Sequence, residues 1–386
     1  MDLRDTPEEA AFRQEVRDFI AQNLPEGSKA RGSRRFEDDD RDWSRKLGEA
    51  GYAGLTWPKE FGGTGAPYSH QAIYLEEQAR AEAPGHLGVI GIGMAGPTII
   101  SWGTDEQKSR YLSKILMAEE IWCQGFSEPG AGSDLAAVRT RIEDKGDHFL
   151  VNGQKVWSSF AHIADYCILV GLGLPDEPRY KNLTYVIADM HAPGVEVRPL
   201  VQITGHAEFN EIFFTDVQVP KENLLGEVGG GWQVAMTTLL HERGTLGFAL
   251  AATLDVAVRK LVALADERGV TDPVIRDRIA REWIELQALR YTNYRALTTL
   301  TKTGVPGPEG SISKLVWSEN NQRLTKLALE ILGSHAQLTN GGGPADNSGY
   351  WQYQQLRSRG NTIEAGSSEI LRNIVAERVL GMPRSR

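Results

Sequence analysis

The N-terminal part of the chain places its apolar residues with the period of a helix. From residue 7 to about 24, Phe12, Val16, Phe19 and Ile20 recur three and four apart, and Thr6-Pro7 offers a capped start. The same spacing predicts helices over 43–51, 69–80 and 89–102, while the polar, mixed-charge residues 25–42 read as a solvated connection. From about 138 the period shortens to two. The runs "HFLV" before Asn152-Gly153, "DYCILVGL", "LTYVIADM", "VEVRPL" and "EIFFTDVQVP" predict antiparallel strands separated by turns up to residue 220. After "GEVGGGW" the helical period returns near 232–268, 274–303, 311–332 and 367–380, enough for a four-helix bundle, with 339–349 a turn between helices. The expected class is α+β: an all-α domain over 1–122, an antiparallel β domain over 123–230 and a helical bundle over 231–386.

Composition narrows the function classes. A chain of 386 residues exceeds one ordinary core, and 41% hydrophobic residues suffice for a real interior. The formal charge of −9 argues against a nucleic-acid binder. The two cysteines, Cys123 and Cys167, have no metal-ligand spacing, so neither a metal site nor a disulfide framework is expected. A reducing, cytoplasmic setting fits. The acidic, amphipathic start has neither the apolar core of a signal peptide nor the Arg/Ser bias of a transit peptide, and no stretch is long enough for a membrane span.

Four stretches could carry chemistry. In "TTLLHERGTLGFAL" (237–250), helical spacing puts Glu242 on a stripe with Leu239, Leu246 and Ala249. A carboxylate there is either a satisfied structural ion or a working group. The glycines of "GIGMAG" (91–96) match a dinucleotide fingerprint, and Glu119 and Glu120 stand at the distance of a ribose contact. That match sits among helices and runs into Pro97, so close helix packing is the reading and a nicotinamide site is not. "FSEPGAGSD" (126–134) imposes a turn whose backbone N–H groups can approach a flat polar ligand. "GQKVWSSF" (153–160) ends a strand with an aromatic and two hydroxyls, suited to covering a ring and bonding its edge.

"FSEPGAGSD", "VNGQKVWSSFAHIADY", "EFNEIFFTDVQVPKENLLGE" and "TIEAGSSEILRNIVAERVLG", in this order and at these intervals, resemble the acyl-CoA dehydrogenase family over essentially the whole chain. The resemblance implies a homotetramer of helical, β-barrel and four-helix-bundle domains with FAD between the β domain and the last bundle. It places Gln124, Phe126 and Ser127 beside the flavin pyrimidine and Trp157 and Ser159 beside the reactive edge, with Ser159 near the hydride-accepting nitrogen. Ser127 stands where Thr is usual. Ser133 falls at a pantetheine contact. Arg268 matches an Arg that grips the FAD of a neighbouring subunit, but the usual Phe-Gly after it is missing from "ERGVTDPVIRDR". Gly333 matches a backbone contact to the dinucleotide, with Ser334 replacing a second Gly. Ser367 and Glu369 open the last helix, where free N–H groups suit a phosphate or polar cofactor edge.

The implied reaction removes the α-proton of an acyl-CoA and passes the β-hydride to flavin, giving a trans-2-enoyl-CoA. It needs a buried carboxylate base and donors on the thioester oxygen. In most members the base lies just before the last helix, a position that is Ala365 here, with Glu364 one residue away as an alternative. A subset carries Glu directly before Arg on the first bundle helix, which Glu242-Arg243 matches. The resemblance then makes Glu242 the base, Arg243 a substrate-positioning group and the Ala365 N–H a donor to the thioester oxygen. It also implies an electron-transfer flavoprotein as acceptor. An acyl-CoA oxidase and a flavin-poor partner subunit of a mixed tetramer are the competing readings, and the acyl chain itself is not legible.

Overall fold

A computed structural model describes residues 4–24, 38–244, 246–304, 307–338 and 349–384, with backbone only at 38, 39, 242–244 and 246. The chain forms two compact units, one from Phe36–Ala66 and Gly85–Glu242, the other from Met1–Arg35, Pro67–Pro84 and Arg243–Arg386.

The first unit is built on a seven-stranded sheet. Its strands are β1 (Trp122–Gly125), β2 (Arg141–Asp144), β3 (His148–Ser159), β4 (Tyr166–Leu172), β5 (Leu183–Asp189), β6 (Val195–Leu200) and β7 (Phe209–Pro220). Their order is β1-β4-β2-β3-β7-β6, with β5 also paired to β4. β4 explains the unbroken apolar run in the sequence: Cys167, Ile168, Leu169 and Val170 are all 0% exposed because both faces of the strand are covered. Ile168 and Val170 join Trp122, Leu112 and Ile115 in one cluster. Cys167 and Leu169 join Phe149, Val151 and Ile212 in another. Helices α2 (Asp38–Glu49), α4 (Gly96–Trp102), α5 (Asp105–Leu116) and α6 (Gly231–Gly244) complete this unit. A capping box starts α5, Gln107 N–H donating to Thr104 Oγ1 at 3.3 Å and the Gln107 amide accepting from Thr104 N–H at 2.9 Å.

The second unit holds α1 (Pro7–Asn23), α3 (Tyr68–Arg80), α7 (Leu246–Glu267), α8 (Pro273–Thr303), α9 (Glu309–Leu332), α10 (Tyr350–Asn361) and α11 (Ser368–Ile374). Its core is a bundle seam of Leu254, Val258 and Leu261 from α7, Leu286 and Leu289 from α8, Leu324, Leu327 and Ala328 from α9, and Trp351 from α10. These recur three, four and seven apart, as bundle packing requires. α1 starts with its own capping box between Thr6 and Glu9 and is tied to α3 by Arg13, 2.6 Å from Glu77 and 3.0 Å from Glu76. Among the described residues no helix is long and apolar enough to cross a membrane.

Several expectations change on this backbone. The sheet is not wholly antiparallel: β1 and β2 each pair parallel to β4, because β1 reaches β4 through a crossover rather than a hairpin. Asn152-Gly153 is not a turn. β3 runs straight through it, and the register shift there puts the extra residue on β7. Asn152 clamps that bulge, accepting from Asp216 N–H at 2.9 Å and donating to Asp216 Oδ1 at 3.0 Å. The stretch 232–268 is two elements, α6 and α7, on either side of Thr245. The expected final helix is α11 followed by a π-helical turn, Val375–Val379. α10 occupies residues to which the periodicity assigned no element, α2 takes in 38–42 of the expected polar connection, and residues 25–37 and 339–348 of the two expected connections lie outside the described residues. "GIGMAG" is a π-turn, Gly91–Ala95, leading into α4. A Cβ on Gly96 would lie 2.1 Å from Trp57 Cη2, so the glycine serves packing.

Candidate active site

In the sheet unit, the end of β1 and the end of β3 bring five of the expected residues together. β1 carries Gln124 and leads through Gly125, whose position has no room for a Cβ: one would lie 2.8 Å from Cys167 Sγ. Phe126 follows, buried and edge-on to Tyr185 with ring centroids 5.8 Å apart. The next residues fold back on themselves, Glu128 and Ala131 exchanging backbone bonds of 2.9 and 3.0 Å. Ser133 lies beyond, exposed, beside an ion pair of Asp134 with Arg179.

This turn is pinned to β3. Val156 N–H donates to Ser127 O at 2.9 Å. Lys155, 0% exposed, donates through Nζ to Phe126 O at 2.9 Å and to Glu128 Oε1 at 2.8 Å. Glu128 also accepts from Thr140 N–H at 2.8 Å and Arg139 N–H at 2.7 Å. Burial pushes the Glu128 carboxyl up, but the Lys155 charge and these bonds outweigh it and hold the group below the usual carboxylate range. Burial pushes the Lys155 ammonium down to about 8 against the pull of Glu128.

Just past Lys155 the β3–β7 register slips again, with the extra residue now on β3. Trp157 sits in this bulge at φ 63°, a left-handed conformation that a bulky residue rarely adopts. The bulge breaks the in-out alternation. Ser158 turns inward, while Trp157 is left 60% exposed, its ring 6.1 Å from that of Phe209. Ser159 follows at the strand end, half-buried, opposite Phe209. No hydrogen bond to the hydroxyl of Ser127 or Ser159 is formed among the described residues. An exposed aromatic surface with the Ser159 hydroxyl two residues on and the Ser127 backbone bonded to the residue before it fits a planar ring with a polar edge, as a flavin has.

The bundle unit gathers Arg268 and Gly333 at one place and Glu364, Ala365, Ser367 and Glu369 at another. Arg268, just past α7, donates to His335 Nδ1 at 3.1 Å. His335 lies in the turn that begins with Gly333, whose φ of 57° requires a glycine. The second place is the approach to α11. Ala365 and Gly366 both have positive φ, 50° and 96°, and the buried Lys314 donates to Gly366 O at 2.7 Å. Ser367 caps α11 by accepting from Ile370 N–H at 3.4 Å. Glu369 is exposed in the first turn, its carboxyl lowered by its own backbone N–H and by Ser367. Glu364 is committed elsewhere, to Arg357 at 2.8 Å and the Asn361 amide at 2.7 Å. A cavity of about 470 Å³ opens beside Ser367 and Glu369, lined also by Arg323, Lys326, Arg359 and Arg372.

Positions 242 and 243 belong to α6, but the side chains of Glu242 and Arg243 lie outside the described residues. One turn before them Thr238, fully buried, bonds to Thr98 Oγ1 at 2.8 Å and to the Tyr185 hydroxyl at 3.0 Å. Sequence reasoning missed Lys155, Glu128, Thr238 and Lys314. One signal existed: Phe149 and Val151 put the odd positions of β3 inward, and Lys155 is in that phase.

Family models match the chain in three consecutive blocks. The acyl-CoA dehydrogenase N-terminal domain matches residues 6–119, the middle domain 123–217 and the C-terminal domain 229–380. The acyl-CoA dehydrogenase IpdE1 of Mycobacterium tuberculosis is 42% identical, covering 97% of both chains. Among solved structures, one described as the Tcur3481-Tcur3483 steroid ACAD superposes with a TM-score of 0.90 at 30% identity, over 100% of both chains. The ChsE4-ChsE5 complex from Mycobacterium tuberculosis gives 0.88 at 28%, again over 100% of both. The chain belongs to the acyl-CoA dehydrogenase family of FAD-dependent oxidoreductases.

Proposed function

We propose that the protein desaturates an acyl-CoA thioester between its α and β carbons, with Glu242 as the base, and that the acyl group is bulky and steroid-derived. The observation that carries the choice of base is the condition of its rivals. Ala365 has no proton acceptor, and the Glu364 carboxylate is engaged by both Arg357 and Asn361. Glu242 stands on a helix fixed one turn earlier by the buried Thr238. In this reading Glu242 takes the α-proton, Arg243 positions the thioester, and the Ala365 N–H bonds the carbonyl oxygen on which enolate charge develops. Bound FAD supplies the acceptor for the hydride that leaves the β-carbon. Gln124 and Ser127 hold the polar edge of its ring, Trp157 covers the ring, and Ser159 bonds near the reactive nitrogen. Ser133 meets the pantetheine arm, and Arg268, Gly333, Ser367 and Glu369 hold the rest of the dinucleotide.

The steroid-derived acyl group is favoured by likeness to the steroid ACAD. An electron-transfer flavoprotein is the proposed acceptor. A homotetramer is the simplest assembly, but two of the similar structures bear paired names, so a mixed tetramer with a related subunit is the second reading.

The test is anaerobic addition of short, branched, long-chain and sterol-type acyl-CoA thioesters to the FAD-loaded protein, followed by the visible flavin band. Bleaching should be fastest with the sterol-type thioester. Glu242→Gln should stay yellow yet reduce roughly 10²–10⁴-fold more slowly, while Glu364→Gln bleaches normally. Wild-type bleaching by Glu242→Gln would remove Glu242 from the mechanism, and rapid turnover in air without an acceptor would favour an oxidase.

A further inference from the structure

We propose that the buried Lys155–Glu128 pair is a positioning device that sets the two flavin-contacting strips, residues 126–127 and 157–159, in fixed relation to each other. The proposal rests on the reading of those strips as the flavin contact. Its basis is where the bonds of one side chain go. The Lys155 ammonium joins Phe126 O of the first strip and Glu128 Oε1 just beyond it, and two residues later the chain reaches Trp157 of the second. Val156 N–H adds a third link, to Ser127 O. Glu128 is in turn held by two backbone N–H groups from the start of the next segment, so the clamp is anchored and not merely local.

A buried ammonium is costly, and an apolar residue of similar volume would fill the same interior without that cost. Neither side chain is needed to complete the ladder, since β3 is already bonded to β2 and β7. What the pair adds is direction: it aims the Phe126 carbonyl inward and holds the Phe126–Ser127 peptide against the strand that carries Trp157. The titratable groups facing Lys155 Nζ among the described residues are Glu128 and, on β4, Cys167. With the ammonium proton leaving near 8, the clamp weakens in mildly alkaline solution.

The experiment measures FAD dissociation constants by flavin fluorescence on apoprotein of wild type, Lys155→Met, Glu128→Gln and Trp157→Ala, together with the melting temperature of each apoprotein. Lys155→Met should weaken FAD binding by about tenfold or more and shift the visible flavin spectrum. Glu128→Gln, which keeps shape and loses charge, should fall between it and wild type. Wild-type affinity should decline from pH 7 to 9.5, and Lys155→Met should lose that decline. Unchanged affinity and spectrum in Lys155→Met, whatever its melting temperature, would overturn the clamp while leaving the cofactor assignment intact if Trp157→Ala still weakens binding. Unchanged affinity in Trp157→Ala would overturn the cofactor assignment, and the clamp with it. The wild-type pH series needs no variant to fold, and a decline that Lys155→Met abolishes supports the clamp.

Discussion

His86 uses both ring nitrogens in the neutral state. Nδ1 accepts from Gly88 N–H at 2.9 Å, which leaves Nε2 to donate to Leu116 O at 3.1 Å. Protonating Nδ1 would set it against the Gly88 N–H. Burial therefore outweighs the Leu116 bond and pushes the imidazole down from 6.5 to about 4. Between those two values the unfolded chain takes up a proton that the folded chain refuses, so stability is full above pH 6.5 and falls on acidification toward 4, by at most about 3 kcal/mol. Urea midpoints followed by tryptophan fluorescence from pH 7 to 4 should show this decline, and His86→Asn should flatten it. Legibility differs from one residue to the next. Two glycines of "GIGMAG", Gly91 and Gly96, read correctly as packing, because their context lacked the strand that a phosphate loop requires, whereas a Cβ on Gly93 would meet nothing within 4 Å. Lys155 escaped notice because an inward-facing lysine breaks the rule by which inward positions are found. Only its partner, 27 residues earlier in the chain, makes it intelligible.

α6 shows how one element serves both stability and chemistry. Val234 and Ala235 bury its near face, and Thr238 joins it to α4 and β5 through the bonds to Thr98 and Tyr185. Thr238→Val should lower the melting temperature by an amount equivalent to about 1–3 kcal/mol, since two buried hydroxyls lose a partner. If Glu242 is the base, the same change should also slow flavin reduction more than it weakens substrate binding, which stopped-flow traces at several substrate concentrations would separate. β4 and β5 were legible because strands covered on both faces are apolar throughout. β1 and β2, four residues each, are too short to establish a period. α10 was hidden by its own composition: in "YWQYQQLRSRGN" the bundle takes up Trp351, and polar residues fill most of the helix. The parallel pairing of β1 with β4 has no local signature at all, since it depends on what the forty residues between them do.

At the scale of the molecule, the bundle unit draws on three separate stretches of chain. α3 packs on α7, and α1 packs on α3 through Arg13 and Arg17. The fragment 231–386, expressed alone, should therefore retain helix in the far ultraviolet but lose the near-ultraviolet signal of fixed aromatic packing. A sharp, cooperative thermal transition from that fragment would refute the dependence. Supplying residues 1–84 in the same cell should restore part of the packing. Helical content and the order helix, strand, helix could be read from periodicity, whereas the grouping of α1 and α3 with a bundle far along the chain could not. That grouping is carried by charges such as Glu76 and Glu77, which are buried against arginines and look, in sequence, like a solvated face.

The same arrangement governs how the protein is made. α1 and α3 leave the ribosome long before α7 exists, and at about 5–20 residues per second the wait from residue 80 to residue 267 is roughly 10–40 s. Through that interval the nascent chain displays the α3 surface meant for α7, so the yield of folded protein in a cell should depend on chaperone capacity more than on final stability. Synonymous changes that slow translation between residues 85 and 242 would lengthen the exposure and raise the aggregated fraction without altering one side chain.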